Sequence, residues 1–354
     1  MLVQTHFPKK LAPHRYDSYL ASGWFRGSVM LYKVDLLCVD SGVFGVVNIR
    51  LNLDQHELKK SQRKRMARAD RKFTTTVKPC VLDAIGDAQE ALYDQQKHRF
   101  QGFVHGTLRE YLASGFPHTV FDTYELCVYD GERLAAVSYF DFGDRSMASL
   151  IGLQDPAYQT HGLGIYTMLC EIEFGKQRGM RWYYPGYVFD EPSPFDYKLD
   201  LGQMEYYTPT KRWGSHKKFD PTLTRAHRLR LEMNALSSAL KAEDLPHDIL
   251  LYPFFSLGFM AHWSLEFVTL PMFVELVNRK GKRQIVGFEP LRQVFIVMDV
   301  QEASPESIMI DMDYRTQTGD SSASCTEILR CKMPLIQSTS VEGVIDFLNM
   351  FKAQ

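Results

Sequence analysis

Three features of this chain have residue types and spacing that suit chemistry: a glycine turn at Gly162 and Gly164, a run of cations at residues 59–72, and His98. In Gln159-Thr160-His161-Gly162-Leu163-Gly164 the glycines precede an apolar repeat of helical period. The free backbone N–H groups of such a helix start suit an anion or a carbonyl oxygen, and the same glycines also serve as ordinary turn residues. Lys59 to Lys72 holds eight cations against one acid. Coiled as a helix they surround most of the cylinder, which suits phosphate contact or a solvated face. His98, inside Tyr93-Asp94-Gln95-Gln96-Lys97-His98-Arg99, is either a general base or a surface histidine at a helix end.

The elements that must position these residues are read from periodicity. Ile165, Met168, Leu169, Ile172 and Phe174 recur at helical spacing up to a stop at Gly179, and Met180 to Tyr187 reads as one strand. Upstream, Tyr124 to Tyr129, Leu134 to Asp141 and Met147 to Leu153 read as consecutive antiparallel strands, the first two joined at Asp130-Gly131-Glu132. Two helices fall between Asp83 and Ser114, broken near Gly102 and Gly106, and the cationic run is a further helix. Near the N-terminus a short helix closes at Gly23, followed by strands at Val29 to Tyr32, Leu36 to Val39 and Val43 to Leu53. Beyond Phe219 come a helix at Leu223 to Lys241 and strand-like runs at Arg283 to Gly287, Val294 to Val300, Ser307 to Tyr314 and Glu327 to Lys332. A helix at Val341 to Phe351 closes the chain, and Val268 to Val277 reads as a strand or a short helix.

At 354 residues, 45% of them hydrophobic, the chain is long enough for two or three domains with substantial cores. Its 41 basic and 42 acidic residues nearly cancel, so any nucleic-acid partner must be met by a local patch. Six cysteines without a Cys-x-x-Cys pair argue against a disulfide framework or a zinc ribbon. No secretory pattern or bilayer-length apolar run is present, so a cytoplasmic protein with reduced thiols and no membrane partner is expected.

Three strands, a glycine turn, a helix and a strand are the element order of a GNAT-superfamily acyltransferase core. The expected fold class is therefore α+β: a GNAT-like core, a mixed sheet flanked by helices, with a small N-terminal sheet region and an appended C-terminal α+β region. The boundaries are 1–80 with the basic helix, 81–219 for the core, and 220–354 for the appended region.

From about Tyr16 to Trp213 the chain resembles the aminoacyl-tRNA–protein transferases, the arginyltransferases and their bacterial leucyl-transferring relatives. The opening Tyr16-Asp17-x-Tyr19-Leu20-x-x-Gly23-Trp24-x-Arg26, with Tyr32 after it, is similar to the family's start. Ser61-Gln62-Arg63-Lys64-Arg65 resembles its Ser-Gln-Arg-Arg element, and Tyr93 with His98 its helical Tyr-to-His motif. The central likeness runs through Asp155-Pro156, Leu163-Gly164-x-Tyr166-x-x-Leu169-x-x-Ile172-Glu173, Tyr183-Tyr184-x-Gly186-Tyr187 and Tyr197-Lys198. The sequence departs from the family twice. The family's cysteine cluster is reduced to Cys38, and one thiol holds neither a metal nor an iron–sulfur cluster, so no metal and no cofactor are expected. At the turn, Gly162 replaces a serine, giving Gln159-x-x-Gly162-x-Gly164, a pattern shared with acetyl-CoA-dependent N-acetyltransferases.

The resemblance implies transfer of arginine or leucine from charged tRNA to the N-terminal amine of an acceptor protein, which marks that protein for degradation. It implies His98, Tyr187 and Lys198 as catalytic residues. Arg50, Tyr93, Arg99, Gly162, Leu163, Gly164, Tyr166 and Tyr197 would bind the substrates, with Lys198, Arg99 or Arg50 facing an acidic acceptor. The N–H groups of Gly162 to Ile165 would meet the donor, and Arg26, Lys60, Arg63, Lys64, Arg65 and Arg68 the tRNA phosphates. Two other readings stand beside it: an acyl-CoA-dependent N-acyltransferase on the same core, and a non-catalytic relative of the transferases.

Overall fold

The structure, a computed structural model, describes residues 2–39, 41–100, 102–259, 267–277, 283–303, 314–315 and 324–352. The chain begins β1 (Val3–His6), α1 (Pro13–Ala21), β2 (Phe25–Gly27), β3 (Met30–Val34), β4 (Leu36–Val39) and β5 (Gly42–Asn52). Next come the basic helix α2 (Lys60–Asp70), β6 (Thr74–Pro79), α3 (Asp87–Gln96), β7 (Gly102–Phe103) and α4 (Leu108–Ala113). The antiparallel run is β8 (Asp122–Asp130), β9 (Arg133–Phe142) and β10 (Ser146–Gln154), followed by α5 (Leu163–Gln177). The single strand expected over Met180 to Tyr187 is two, β11 (Trp182–Tyr184) and β12 (Tyr187–Phe189). Pro185 between them cannot donate to a ladder, and Gly186 turns the chain at a φ of 98°.

These strands build one large sheet. With β13 (Met204–Tyr207) and β14 (Trp213–Ser215) its order is β14-β13-β5-β11-β10-β9-β8-β6, and β4 and β12 also pair with β5. Strands β5 and β6 therefore belong to the same sheet as β8 to β14, and the boundary expected at residue 80 falls inside it. Strand alternation gives the sheet two faces. Met147 and Tyr183 point into a core shared with α5 residues Leu169 and Ile172 and with Ala69 of α2. Their neighbours Ala148 and Tyr184 point the other way, into a core with Tyr16 and Leu20 of α1. Helices α3 and α4 share the α1 side, packing Leu92, Tyr93, Leu108 and Leu112 against Ile151 and Leu153 of β10.

Residues beyond 219 form a second layer. Helix α6 (Arg225–Ala242) buries Leu229, Met233, Leu236 and Leu240. A five-stranded sheet follows from β15 (His247–Leu251), β16 (Met272–Val277), β17 (Arg283–Glu289), β18 (Val294–Glu302) and, after the short β19 (Tyr314–Arg315), β20 (Leu329–Ser338); α7 (Val341–Lys352) closes the chain. The strand expected over Ser307 to Tyr314 lies outside the described residues except for Tyr314. Asp190, at the end of β12, ties this layer to the large sheet. Its buried carboxylate accepts from Gly45 N at 2.7 Å, Thr224 Oγ1 at 2.5 Å and Arg230 Nη2 at 3.1 Å.

Candidate active site

Strands β10 and β11 run parallel but pair over only three positions, Ser146 to Ala148 against Trp182 to Tyr184. Beyond Tyr184 the chain turns away at Gly186 and β12 joins β5, so the rest of β10 has no strand partner on that side among the described residues. A register shift between Ser149 and Ile151 bulges β10 at the same level. The separation opens a cavity of about 960 Å³. Its wall includes Gly164, Thr167 and Glu171 from α5 and Leu20 and Trp24 from the α1 side, so the cavity passes through the sheet.

Glu171 is fully buried on the α5 side of this opening. Its Oε2 accepts from the Tyr183 hydroxyl at 2.8 Å, and Oε1 has no partner among the described residues. Burial pushes its carboxyl up to about 7, against the opposing pull of the Ser138, Tyr183 and Ser149 hydroxyls. The sequence signal for it was present: an acid three residues after Met168, on the buried stripe of α5. Lys198 also lines the cavity, its Nζ donating to the Tyr187 carbonyl at 3.1 Å and lying 4.9 Å from the Phe195 ring. Desolvation pulls its ammonium down to about 8. At Gly186, whose φ of 98° favours glycine, a Cβ would stand 3.3 Å from that ammonium.

Tyr187 and Tyr197 are wall residues, as is Arg99, which donates to Gln96 Oε1 at 2.6 Å. Burial raises the Tyr197 phenol most; Glu171 adds to the rise and Arg99 opposes it, so all three share one neighbourhood. Tyr93 is fully buried with its ring in the wall and its hydroxyl on the His105 carbonyl at 2.9 Å. The histidine in the wall is His105, held below its ordinary value by burial and so neutral at neutral pH.

Other expected residues lie elsewhere. His98 is exposed on the turn after α3 and lines neither cavity, so the geometry offers it no substrate amine. Leu163 and Tyr166 are core residues, Tyr166 bonding Thr75 and Asp70 at 2.8 and 2.7 Å. The N–H groups of Gly162 and Gly164 already donate inside the protein, to the Gln159 carbonyl at 3.2 Å and Gln154 Oε1 at 3.1 Å. Arg50 is bound to Glu205 at 2.7 Å and sandwiched between Trp182 and Trp213, 3.6 and 4.3 Å from the ring centres. It faces a second, smaller cleft. Arg26 is buried, its guanidinium on Asp141 at 2.6 Å, Thr123 at 2.7 Å and the Leu112 carbonyl at 2.6 Å, so it is closed to a tRNA phosphate.

The remaining cations are displayed together. Lys60, Arg63, Lys64, Arg65 and Arg68 are exposed on α2, which packs on α5. The Arg65 guanidinium lies against Gly162, which adopts a φ of 63°, so a side chain at 162 would strain the backbone and displace the guanidinium. That contact joins the basic helix to the turn at the start of α5, two residues from the cavity wall at Gly164. Cys38 is buried in β4, and no cluster of three metal-ligating side chains occurs among the described residues. No described helix is long and apolar enough to cross a membrane.

An antiparallel run, a helix and a parallel strand splayed from its neighbour define a GNAT-like acyltransferase fold. Residues 82–208 match the family described as arginine-tRNA-protein transferase, C terminus. The chain is 23% identical over 211 residues to an aspartate/glutamate leucyltransferase of Leptospira interrogans, covering 58% of this chain and 76% of that one. Against the enzyme of the same name from Vibrio cholerae serotype O1 it is 26% identical over 206 residues, covering 58% and 85%. Solved structures superpose only in outline. FemX has a TM-score of 0.35 at 8% identity, covering 53% of this chain and 64% of that one. A GCN5-related N-acetyltransferase from Anabaena variabilis has 0.29 at 11%, covering 81% and 58%. The chain spans less than two thirds of the length of either structure.

Proposed function

We propose that this protein moves an aminoacyl group, with leucine the best fit, from the 3′ ester of a charged tRNA to the α-amine of a polypeptide beginning with Asp or Glu. The observation that carries this reading is the cavity through the sheet, reached on the α5 side beside the exposed cations of α2. A CoA-sized donor needs no such extended track of cations. The tRNA approaches along α2 and the acceptor from the α1 side, which brings ester and amine together within the opening.

The ester is already activated, so positioning and proton transfer are the protein's tasks. Glu171, poised near neutrality, takes a proton from the acceptor's α-ammonium. The freed amine attacks the ester carbonyl, forming the C–N bond. The C–O bond to the ribose then breaks as the Glu171 proton passes to the departing 3′ oxygen, and the proton still on the new amide nitrogen is taken by the Glu171 carboxylate, which releases it to solvent. Lys198 and Arg99 face the carboxylate of an acidic first residue. The side-chain space, walled by residues such as Leu36, Ile49, Met168, Phe189 and Phe255, suits leucine. A guanidinium there would require an ionised partner, and Glu171 is the one acid among the described wall residues.

Labelled leucine and arginine carried on tRNA, offered with peptides beginning with Asp, Glu, Lys or Arg, test the reading. Leucine transfer to the Asp and Glu peptides is expected. Arginine transfer lost specifically in Glu171→Gln would reassign that carboxylate to the donor side chain. Failure with both amino acids, alongside turnover of acetyl-CoA, would overturn the proposal in favour of a CoA-dependent acyltransferase.

A further inference from the structure

A second cleft, of about 270 Å³, lies on the α1 side of the sheet between α1, the start of β10 and β11. Three arginines reach it, Arg50, Arg145 and Arg181, with Trp182 and Tyr184 between them and Asp17 on its α1 rim. Two arginines have a carboxylate: Arg50 has Glu205 at 2.7 Å, and Arg181 has Asp54 at 3.5 Å. Arg145 is different. Asp17 takes its backbone N–H at 2.8 Å, and its guanidinium has no acceptor among the described residues. Tyr184 is 5% exposed, and its hydroxyl has no hydrogen-bond acceptor among the described residues. The Asp17 carboxylate is the cleft's own anion: its Oδ2 is held by the Arg145 backbone N–H and its Oδ1 is buried without a partner among the described residues, which leaves the enclosed Tyr184 phenol and the exposed Arg145 guanidinium as donors to an incoming anion.

The ligand's size and source follow from placement. Of the three guanidiniums only that of Arg145 has no ion pair among the described residues, which suits a single carboxylate better than a run of phosphates. The cleft lies across the sheet from α5 and the basic helix, so it is remote from the proposed tRNA track. Tyr184 forms part of the wall of both the cleft and the main cavity. A polypeptide whose first residue occupies the cavity from the α1 side therefore passes this cleft within a few residues, each adding about 3.3 Å of reach.

We propose that the Arg145–Tyr184 cleft binds an acidic side chain of the acceptor polypeptide downstream of its first residue, giving the protein a second specificity determinant. This rests on the transferase reading for the identity of the polypeptide. The test uses two fluorescent peptides that both begin with Asp, one with Asp or Glu at positions two to five and one with Asn or Gln there. Fluorescence anisotropy with the full chain should show the acidic peptide binding about tenfold tighter, the scale of one charged hydrogen-bond pair. Arg145→Ala, at an exposed turn, should remove most of that preference. It should leave the neutral peptide's affinity and the salt dependence of tRNA binding unchanged. Equal binding of the two peptides to the wild type, or a preference that survives Arg145→Ala, overturns the proposal. Weakened tRNA binding in Arg145→Ala would instead make the cleft an RNA phosphate site, which also overturns it. If no aminoacyl group is transferred from any tRNA the transferase reading falls, and the anisotropy comparison still decides the cleft.

Discussion

Glu171→Gln replaces the buried carboxyl by a neutral group of the same shape, and its consequence can be worked out from the structure. Holding a glutamate at about 7 rather than its ordinary 4.5 costs the folded state about 3 kcal/mol once the group is ionised, at 1.36 kcal/mol per pH unit. Below pH 4.5 the group is protonated in both states and contributes nothing. Between 4.5 and 7 the unfolded chain ionises first, so the wild type loses stability as pH rises. Above 7 the deficit is constant. Glutamine has no such deficit, so the stability difference between variant and wild type should climb by about 3 kcal/mol from pH 4.5 to pH 8 and then level off. Urea unfolding of both proteins at half-unit pH steps measures it, because every other titrating group cancels in the difference. The same substitution should remove the rise in kcat/KM near pH 7 that deprotonation of the wild type gives. A stability difference that stays flat across this range would refute the enclosure of Glu171 and, with it, its role as proton acceptor.

Lys198 titrates from above: transfer to Asp-initiated peptides should fall as pH rises through about 8, where its ammonium is lost. Lys198→Arg should carry that falling limb out of range, and Lys198→Met should lower kcat/KM for acidic acceptors by roughly ten- to a hundredfold. Arg26→Met strands Asp141 without a cation and should cost about 3–5 kcal/mol in denaturant unfolding. His98→Ala should leave transfer within about twofold of wild type, as expected for an exposed side chain away from the cavity. Reversing Arg63 and Arg65 to Glu should weaken tRNA binding and lower its log–log salt slope by about two, one for each lost phosphate contact.

The sequence carried the order of the elements because hydrophobic period is local. The α5 stripe, the antiparallel run β8 to β10 and the helix α6 all stand where their spacing put them. The split of Met180 to Tyr187 into two strands was legible only in part. Pro185-Gly186 marks a break, but the splay it creates depends on β5 accepting both halves, which is a long-range pairing. Among site residues, Lys198, Tyr187, Arg99 and Gly164 were carried by the resemblance into the cavity. His98 was carried by the Tyr-to-His likeness and by the chemistry of imidazole, and no local pattern reports that a turn points outward. Arg26 was counted among the phosphate contacts because a lone arginine in sequence shows no partner; its partner Asp141 is 115 residues away. Glu171 was overlooked because what singles it out is its burial between α5 and the strands that carry Ser138, Ser149 and Tyr183, a property of the assembled sheet.

The Asp190 carboxylate also bears on where this chain can be divided. It is fully enclosed, and two of its three partners, Thr224 and Arg230, come from beyond residue 219. A truncation at 219 would strip that carboxylate of two of its three partners and uncover the end of β12 beside Phe189, itself part of the cavity wall. Residues 220–354 are thus no detachable cargo: shuffling this core onto another partner would require a substitute clamp for β12.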